Sequence, residues 1–300
     1  AKAYGSDREL ADIDIDMPFE NSFSLSNITP ANNHIYLIAE ELLPKNDWFN
    51  PNEKKYNYSI IDFDIKTKKQ KKIELKIGTK NPVLNVMMEI QKNNTLFITG
   101  SNVNATMTKS ASSGGTFLIK YNLQTMEQTS KFENQMPTEM MTSITDKGEH
   151  LNPLYFYYTK DIFELSNGGY IITTESRYGN SMYVQMITSA GKLEHSTLIP
   201  IRSTVSESFV EIFKNNNLYL FCIDLMKNLD PDVKMNKKEG EKEITIVITF
   251  DNKGQYKKQQ ILEDVSEPKI LYPAMSLKTS SGQTIVFSQK SKKTQFLKIK

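Results

Sequence analysis

The chain has 300 residues and a formal charge of +2 at pH 7, from 37 basic and 35 acidic residues, and 38% of its residues are hydrophobic. A chain of this length and composition can bury one large core or two smaller ones. Lysines and acids are interspersed along the chain, with only short basic clusters. A nucleic-acid-binding protein more often has a concentrated basic stripe, so we expect no nucleic-acid partner.

The single cysteine, Cys222, excludes an intramolecular disulfide and a metal site built from several thiolates. It lies in the apolar run Leu218–Ile223, which predicts a buried and unreactive thiol. No apolar run approaches the ~20 residues that a transmembrane helix needs, so we expect no transmembrane segment. The first residues lack the apolar stretch of a signal peptide, and we expect that any such peptide has been removed.

Along the chain, the predicted elements repeat one unit of four β-strands, here called A to D. The clearest copy of strands C and D is the hairpin over Tyr58–Ile77, in which Ile61, Phe63 and Ile65 alternate with polar residues before a lysine-rich turn. Strand B follows an Asn/Gly turn in each copy, and strand A is a short run before that turn.

Equivalent residues within the repeated strand B define the spacing of the units. Tyr36, Phe97, Ile171, Tyr219 and Ile285 lie at intervals of about 61, 74, 48 and 66 residues, which is the size of propeller blades with insertions. The sequence therefore predicts an all-β protein, a five-bladed β-propeller of four-stranded antiparallel blades, in one domain over residues 1–300. The predicted blades are residues 18–77, 78–132, 133–199, 200–262, and 263–300 together with 9–17.

The fifth unit ends after its strand C, at Thr294–Ile299. The segment Leu10–Met17 alternates like the D strands of the other units. We therefore predict that this N-terminal strand pairs with Thr294–Ile299 and closes the last blade, which removes the exposed edges of an open array.

Three segments resemble a family of secreted, propeller-like repeat proteins of Bacteroidetes that has no assigned mechanism. They are Leu165–Ser176, Met186–Lys192 and the tail Ile285–Ile299. The likeness extends over most of the chain and rests on turn and strand residues. It implies export to the periplasm, the cell surface or the medium. Because members of this family tend to be longer at the N-terminus, it leaves open that the chain is a processed or partial form.

The long connections of the predicted blades emerge on one face. They are the B–C connections 41–57, 101–115 and 224–243 and the D–A connection 133–160. Long insertions on one face of a repeat array usually mark its binding face. Neutral drift is the alternative, since the entropy of loop closure grows slowly with length.

We therefore predict a non-catalytic binding or scaffold protein of the cell envelope that engages a protein or glycan partner through these loops. The adjacent aromatic rings of Trp48 and Phe49 suit a sugar or an apolar partner, or anchor their own loop. The methionines near a short helix predicted over 138–144 suit adaptable protein contacts, or the helix simply covers the blades. The candidate binding residues are Trp48, Phe49, Tyr56, Met140, Met141, Tyr155, Tyr157, Arg177 and Tyr178.

The alternative function is glycoside hydrolysis by carboxylates of the innermost strands. Glu89, Asp161 and Glu211 lie on predicted A strands, where two of them could act as acid and base. The competing interpretation is that these acids are hydrated or paired with lysines.

No metal site or cofactor is predicted. Asp12, Asp14 and Asp16 alternate along a strand, where residues on one face are ~7 Å apart, too far to share one ion. The three histidines are isolated in the sequence, and no phosphate-binding or dinucleotide-binding motif is present.

Overall fold

The computed structural model describes residues 2–4, 9–12, 17–44, 56–77, 83–91, 94–103, 113–135, 157–176, 181–200, 209–229, 243–261, 270–278, 284–290 and 293–299. This part of the chain is all β apart from one turn of 3-10 helix at Met226–Leu229. It contains no helix that is long and apolar enough to cross a membrane. The chain divides into two compact units, Ala1–Gln135 and Met136–Lys300.

The first unit contains one small sheet and two four-stranded antiparallel sheets. Strands β1 (Lys2–Tyr4) and β2 (Glu9–Asp12) form the small sheet. The first four-stranded sheet consists of β3 (Phe23–Ala31), β4 (His34–Leu42), β5 (Tyr56–Asp64) and β6 (Gln70–Glu74), in this order. The second consists of β7 (Val83–Ile90), β8 (Thr95–Val103), β9 (Ser113–Asn122) and β10 (Gln128–Gln135).

The second unit contains two four-stranded sheets and one three-stranded sheet. The first consists of β11 (Tyr157–Glu164), β12 (Tyr170–Ser176), β13 (Ser181–Ile187) and β14 (Leu193–Pro200). The second consists of β15 (Val210–Lys214), β16 (Asn217–Leu225), β17 (Glu243–Phe250) and β18 (Tyr256–Gln260). The three-stranded sheet consists of β19 (Ile270–Lys278), β20 (Thr284–Lys290) and β21 (Lys293–Ile299).

In each unit, two four-stranded sheets pack face to face through alternate apolar residues. Ile38, Ile60, Leu96 and Ile98 are fully buried in the core of the first unit, and Ile171, Val184, Leu220 and Ile246 share the core of the second. Each fully buried side chain of this size stabilises the folded state by roughly 1.5–3 kcal/mol. Meanders packed in this way are the blades of β-propellers, and the structure has four such four-stranded blades.

Asparagine and glycine shape the turns between the first and second strands of the blades. Asn33 has a φ of 65° and Asn216 has a φ of 60°, in the left-handed region that asparagine tolerates better than most residues. The Asn32 side chain donates a hydrogen bond of 3.1 Å to Asn94 of the next blade. The Asn216 side chain likewise contacts Ser166. These turns therefore also join neighbouring blades.

The all-β class and the order of strands in the first four units are confirmed, but the prediction of five four-stranded blades is wrong. The described residues form four four-stranded sheets, and the last sheet has three strands in this part of the chain. Strand Glu9–Asp12 pairs with Lys2–Tyr4 and not with Thr294–Ile299. A hairpin between neighbouring segments loses much less entropy on closure than a pairing of the two chain ends. The prediction that residues 1–300 form one domain stays a prediction.

Gly254, in the turn between β17 and β18, provides a test of the packing between the two blades of the second unit. It has a φ of +78°, and an added Cβ would lie 2.7 Å from Cβ of His195 on β14. Gly168 has the same φ of +78°, but its added Cβ would meet nothing closer than Ser189 at 3.5 Å.

We expect Gly168→Ala to reduce the free energy of unfolding by about 1–2 kcal/mol through backbone strain alone. Gly254→Ala should lose a further 1–3 kcal/mol, roughly, because it also overpacks against His195. Urea unfolding measures both values. Equal losses for the two variants would contradict the described packing.

Candidate functional site

The two ends of every four-stranded blade differ. We call the end where the second strand finishes and the third begins the loop end, and the opposite end, with its short turns, the turn end. Fully buried apolar side chains dominate towards the turn end. Nearly all buried polar side chains lie at the middle of their strand or nearer the loop end, with Gln185 as the exception; they are Ser59, Thr99, Ser101, Asn102 and Thr116 in the first unit and Thr159, Asp161, Thr173, Thr174, Gln185, Glu211, Asp224 and Thr245 in the second.

Two of the predicted carboxylates, Asp161 and Glu211, lie on facing blades of the second unit. The rings of Phe163 on β11 and Phe213 on β15 stack with their centroids 5.3 Å apart. Alternate residues of a strand share one face. Asp161 therefore shares a face with Phe163, and Glu211 shares one with Phe213. The two acids lie on the facing surfaces of the blades, each two residues nearer the loop end than its phenylalanine. Their residues are only 7% and 4% exposed.

Lys160 connects the two blades beside these acids. The pairing of β11 with β12 shifts at this residue, between Thr159 and Asp161, so the lysine occupies a bulge. Its Nζ lies 2.6 Å from Oε2 of Glu175 and donates a hydrogen bond of 2.6 Å to the backbone carbonyl of Phe209. The ammonium group thus binds β12 of one blade and the residue that leads into β15 of the other.

A second ion pair lies deeper in the same blade packing. Nζ of Lys258 is 2.9 Å from Oδ2 of Asp224, and the two side chains are 10% and 1% exposed. The backbone N–H of Leu225 donates to the other oxygen of Asp224. Burial raises the pKa of the adjacent Cys222 thiol, and the negative charge of Asp224 raises it further. Cys222 is therefore a buried thiol in its neutral form.

The charges of Lys160, Glu175, Asp224 and Lys258 all act on the Cys222 thiol, which places both ion pairs in one region. We call these four residues together with Asp161 and Glu211 the loop-end cluster. Tyr158, which is 37% exposed, is the cross-strand neighbour of Glu175 and adds an accessible aromatic ring to its edge. The cluster is buried at its base and open at Tyr158 and Lys160.

The sequence predicted only part of this arrangement. It named Asp161 and Glu211, and it missed Lys160, Glu175, Asp224, Lys258 and Tyr158. The available signal was the placement of charged residues near the ends of otherwise apolar strands, as in Cys222-Ile-Asp224 at the end of β16.

The other predicted site residues are distributed as follows. Glu89 is half-buried on β7 of the first unit, on the face opposite the buried Met88. Tyr56 is half-buried at the start of β5, and Tyr157 is the first residue of β11. Trp48, Phe49, Met140, Met141, Tyr155, Arg177, Tyr178 and the helix predicted over 138–144 lie outside the described residues.

No group of three or more histidine, cysteine or acidic side chains in the described ranges is placed to hold a metal ion.

No protein-family model and no curated protein matches the sequence. Among solved structures, the β-propeller domain of the trilobed protease from Pyrococcus furiosus has a TM-score of 0.48 at 8% identity, over 92% of this chain and 69% of that chain. A GH43 β-1,3-galactosidase has a TM-score of 0.35 at 10% identity, over 91% of this chain and 88% of that chain. The catalytic domain of the GH62 α-L-arabinofuranosidase from Coprinopsis cinerea has a TM-score of 0.41 at 8% identity, over 89% and 84%.

These neighbours are β-propeller proteins and glycoside hydrolases. The resemblance to secreted proteins of Bacteroidetes stays a prediction.

The buried ion pair of the cluster can be tested by removing one charge and then both. We expect Lys258→Met to destabilise the protein by about 3–5 kcal/mol at neutral pH, because the Asp224 carboxylate stays buried without its ammonium partner. Adding Asp224→Asn should restore much of this loss, since the amide oxygen can still accept from the N–H of Leu225.

Urea unfolding of the single and double variants measures both effects. A double variant that is as unstable as Lys258→Met would contradict the electrostatic explanation.

Proposed function

We propose that the protein binds a carbohydrate at the loop end of the second unit, with the loop-end cluster as the polar part of the site. The observation that carries the proposal is the placement of Asp161 and Glu211 on facing blades, with two ion pairs beside them and an exposed tyrosine at their edge.

Stability alone does not account for this cluster. Burial of a charged group has a large desolvation penalty, and apolar residues of similar volume often stabilise a core as well or better. Near their turn end the same blades bury mainly apolar side chains, and Leu218, Phe250 and Ile171 are completely buried there. The concentration of charge at the other end therefore supports a functional role for that end.

The chemistry of the cluster suits a sugar. Carboxylates accept hydrogen bonds from hydroxyl groups, and an ammonium group donates to hydroxyl and ring oxygens. Sites for small ligands combine a few such polar groups with aromatic surface, which Tyr158 supplies. The long connections of the chain also begin at this end of the blades, where a rigid scaffold usually carries its binding residues.

Glycoside hydrolysis at the same place is the second candidate. It is favoured by the fact that Asp161 and Glu211 lie on the first strands of two facing blades, since a glycosidase needs two carboxyl groups on opposite sides of the scissile bond. Export to the cell envelope and a role as a scaffold for a protein partner stay predictions.

One experiment with the full chain tests the binding proposal. A panel of neutral and charged oligosaccharides is titrated by calorimetry into the wild type, Asp161→Asn and Glu211→Gln. We expect at least one sugar to bind and each substitution to weaken it by about tenfold or more, through loss of 1.4 kcal/mol or more of binding free energy.

Glu164→Gln is the matched control, because Glu164 lies on the same strand as Asp161 but at the turn end. It should bind like the wild type. No binding by the wild type to any sugar, or equal losses for all three variants, would overturn the proposal.

An assay for released reducing ends on the same samples separates binding from hydrolysis. If the second candidate holds, Asp161→Asn and Glu211→Gln each lose turnover by about 100-fold or more, and at least one of them still binds substrate. Binding without any turnover by the wild type would leave the protein as a carbohydrate-binding protein only.

A further inference from the structure

A second polar and aromatic cluster lies at the loop end of the first blade, in the first unit. Ser24, Glu40 and Tyr58 are directly paired across β3, β4 and β5 and therefore share one face of the sheet. Tyr56 lies on the same face, two residues nearer the loop end of β5. This cluster is separate from the loop-end cluster of the second unit.

The side chains of this cluster contact one another. The hydroxyl groups of Ser24 and Ser26 donate hydrogen bonds to the Glu40 carboxylate. The rings of Tyr56 and Tyr58 have their centroids 6.3 Å apart, with an angle of 54° between the planes. Burial raises the pKa of both phenols, and the negative charge of Glu40 raises each further, which shows that the phenols lie close to the carboxyl group.

The two tyrosines have different roles. Tyr58 is only 5% exposed and belongs to the apolar core between the first two blades, so it fixes the position of the cluster. Tyr56 and Glu40 are half-buried and are accessible from the loop end. The cluster therefore has a rigid base, an accessible ring and an accessible carboxyl group.

The charge of the cluster limits the ligand. Within the described residues, the groups that act on Glu40 are the hydroxyl groups of Ser24 and Ser26 and the phenols of Tyr56 and Tyr58, which are uncharged groups. Burial raises the pKa of Glu40, which disfavours its charged form and makes the group a poor partner for an ammonium ion. A neutral ligand with several hydroxyl groups matches both conditions, because a carboxyl group, phenols and serine hydroxyls all exchange hydrogen bonds with it.

We propose that Glu40, Tyr56 and Ser24 form a second binding site that takes a neutral sugar residue, with the Tyr56 ring against the sugar and the Glu40 carboxyl group on its hydroxyls. The site does not depend on the function proposed for the second unit.

The test uses the full chain with Asp161→Asn and Glu211→Gln as a background, which removes the site proposed in the second unit. Neutral oligosaccharides are titrated by calorimetry, and choline is titrated as a cationic probe. We expect neutral sugar binding in this background, weakened about tenfold or more by Tyr56→Ala. Tyr256→Ala is the matched control, because Tyr256 is an exposed tyrosine at the turn end of β18, and it should leave the affinity unchanged.

Glu40→Ala tests the carboxyl group. It removes the hydrogen bonds that Glu40 exchanges with the sugar hydroxyls, so we expect it to weaken binding of a neutral sugar by about tenfold or more. If Tyr56→Ala fails to fold, Tyr56→Leu keeps the apolar volume and serves in its place.

Binding that disappears in the Asp161→Asn/Glu211→Gln background would overturn this second site and leave the function proposed for the second unit intact. If the background binds sugar as tightly as the wild type does, the function proposed for the second unit is overturned and the second site is left intact. Binding of choline alone, or sugar binding that Tyr56→Ala and Tyr56→Leu leave unchanged, would also overturn the second site.

Discussion

The face-to-face packing of neighbouring blades is the constraint on which the rest of the structure depends. Each four-stranded sheet has apolar side chains on alternate positions and cannot bury them alone. In the second unit, the stacked rings of Phe163 and Phe213 align β11 with β15, and this alignment brings Asp161 and Glu211 onto facing surfaces. The same packing buries Cys222 and the ion pair between Lys258 and Asp224. The position of the charged groups therefore follows from the apolar core beneath them.

The two ends of the blades differ in the side chains that they bury. Asparagine-rich turns and large apolar residues hold neighbouring blades together at the turn end, as the contact between Asn216 and Ser166 illustrates. Towards the loop end, buried polar groups such as Asp224 lie among buried apolar ones such as Ile199, and burying the polar groups costs free energy. Proteins commonly accept such local destabilisation at functional sites. Lys160 offsets part of this cost at the loop end, because its ammonium group both pairs with Glu175 and binds the backbone carbonyl of Phe209.

The sequence predicted those features that depend on short segments. The alternation around Ile61 and Phe63 and the Asn/Gly turns identify strands and their neighbours because both are local signals. It could not predict the partner of Glu9–Asp12, since that pairing is a competition between a near and a distant segment. It found Asp161 and Glu211 because charged residues stand out in a short apolar strand. It missed Lys160, whose role depends on a bulge, and Lys258, whose long side chain reaches Asp224 two strands away.

The most direct test of the central claim is a crystal structure of the protein with the sugar that binds best in the oligosaccharide panel. The account predicts electron density for a sugar ring at the loop end between β11 and β15, within hydrogen-bonding distance of Asp161 or Glu211 and against the ring of Tyr158. Asn216 and the other turn-end residues should be free of sugar. A sugar bound only at the turn end, or at the loop end without contact to either carboxylate, would contradict the account.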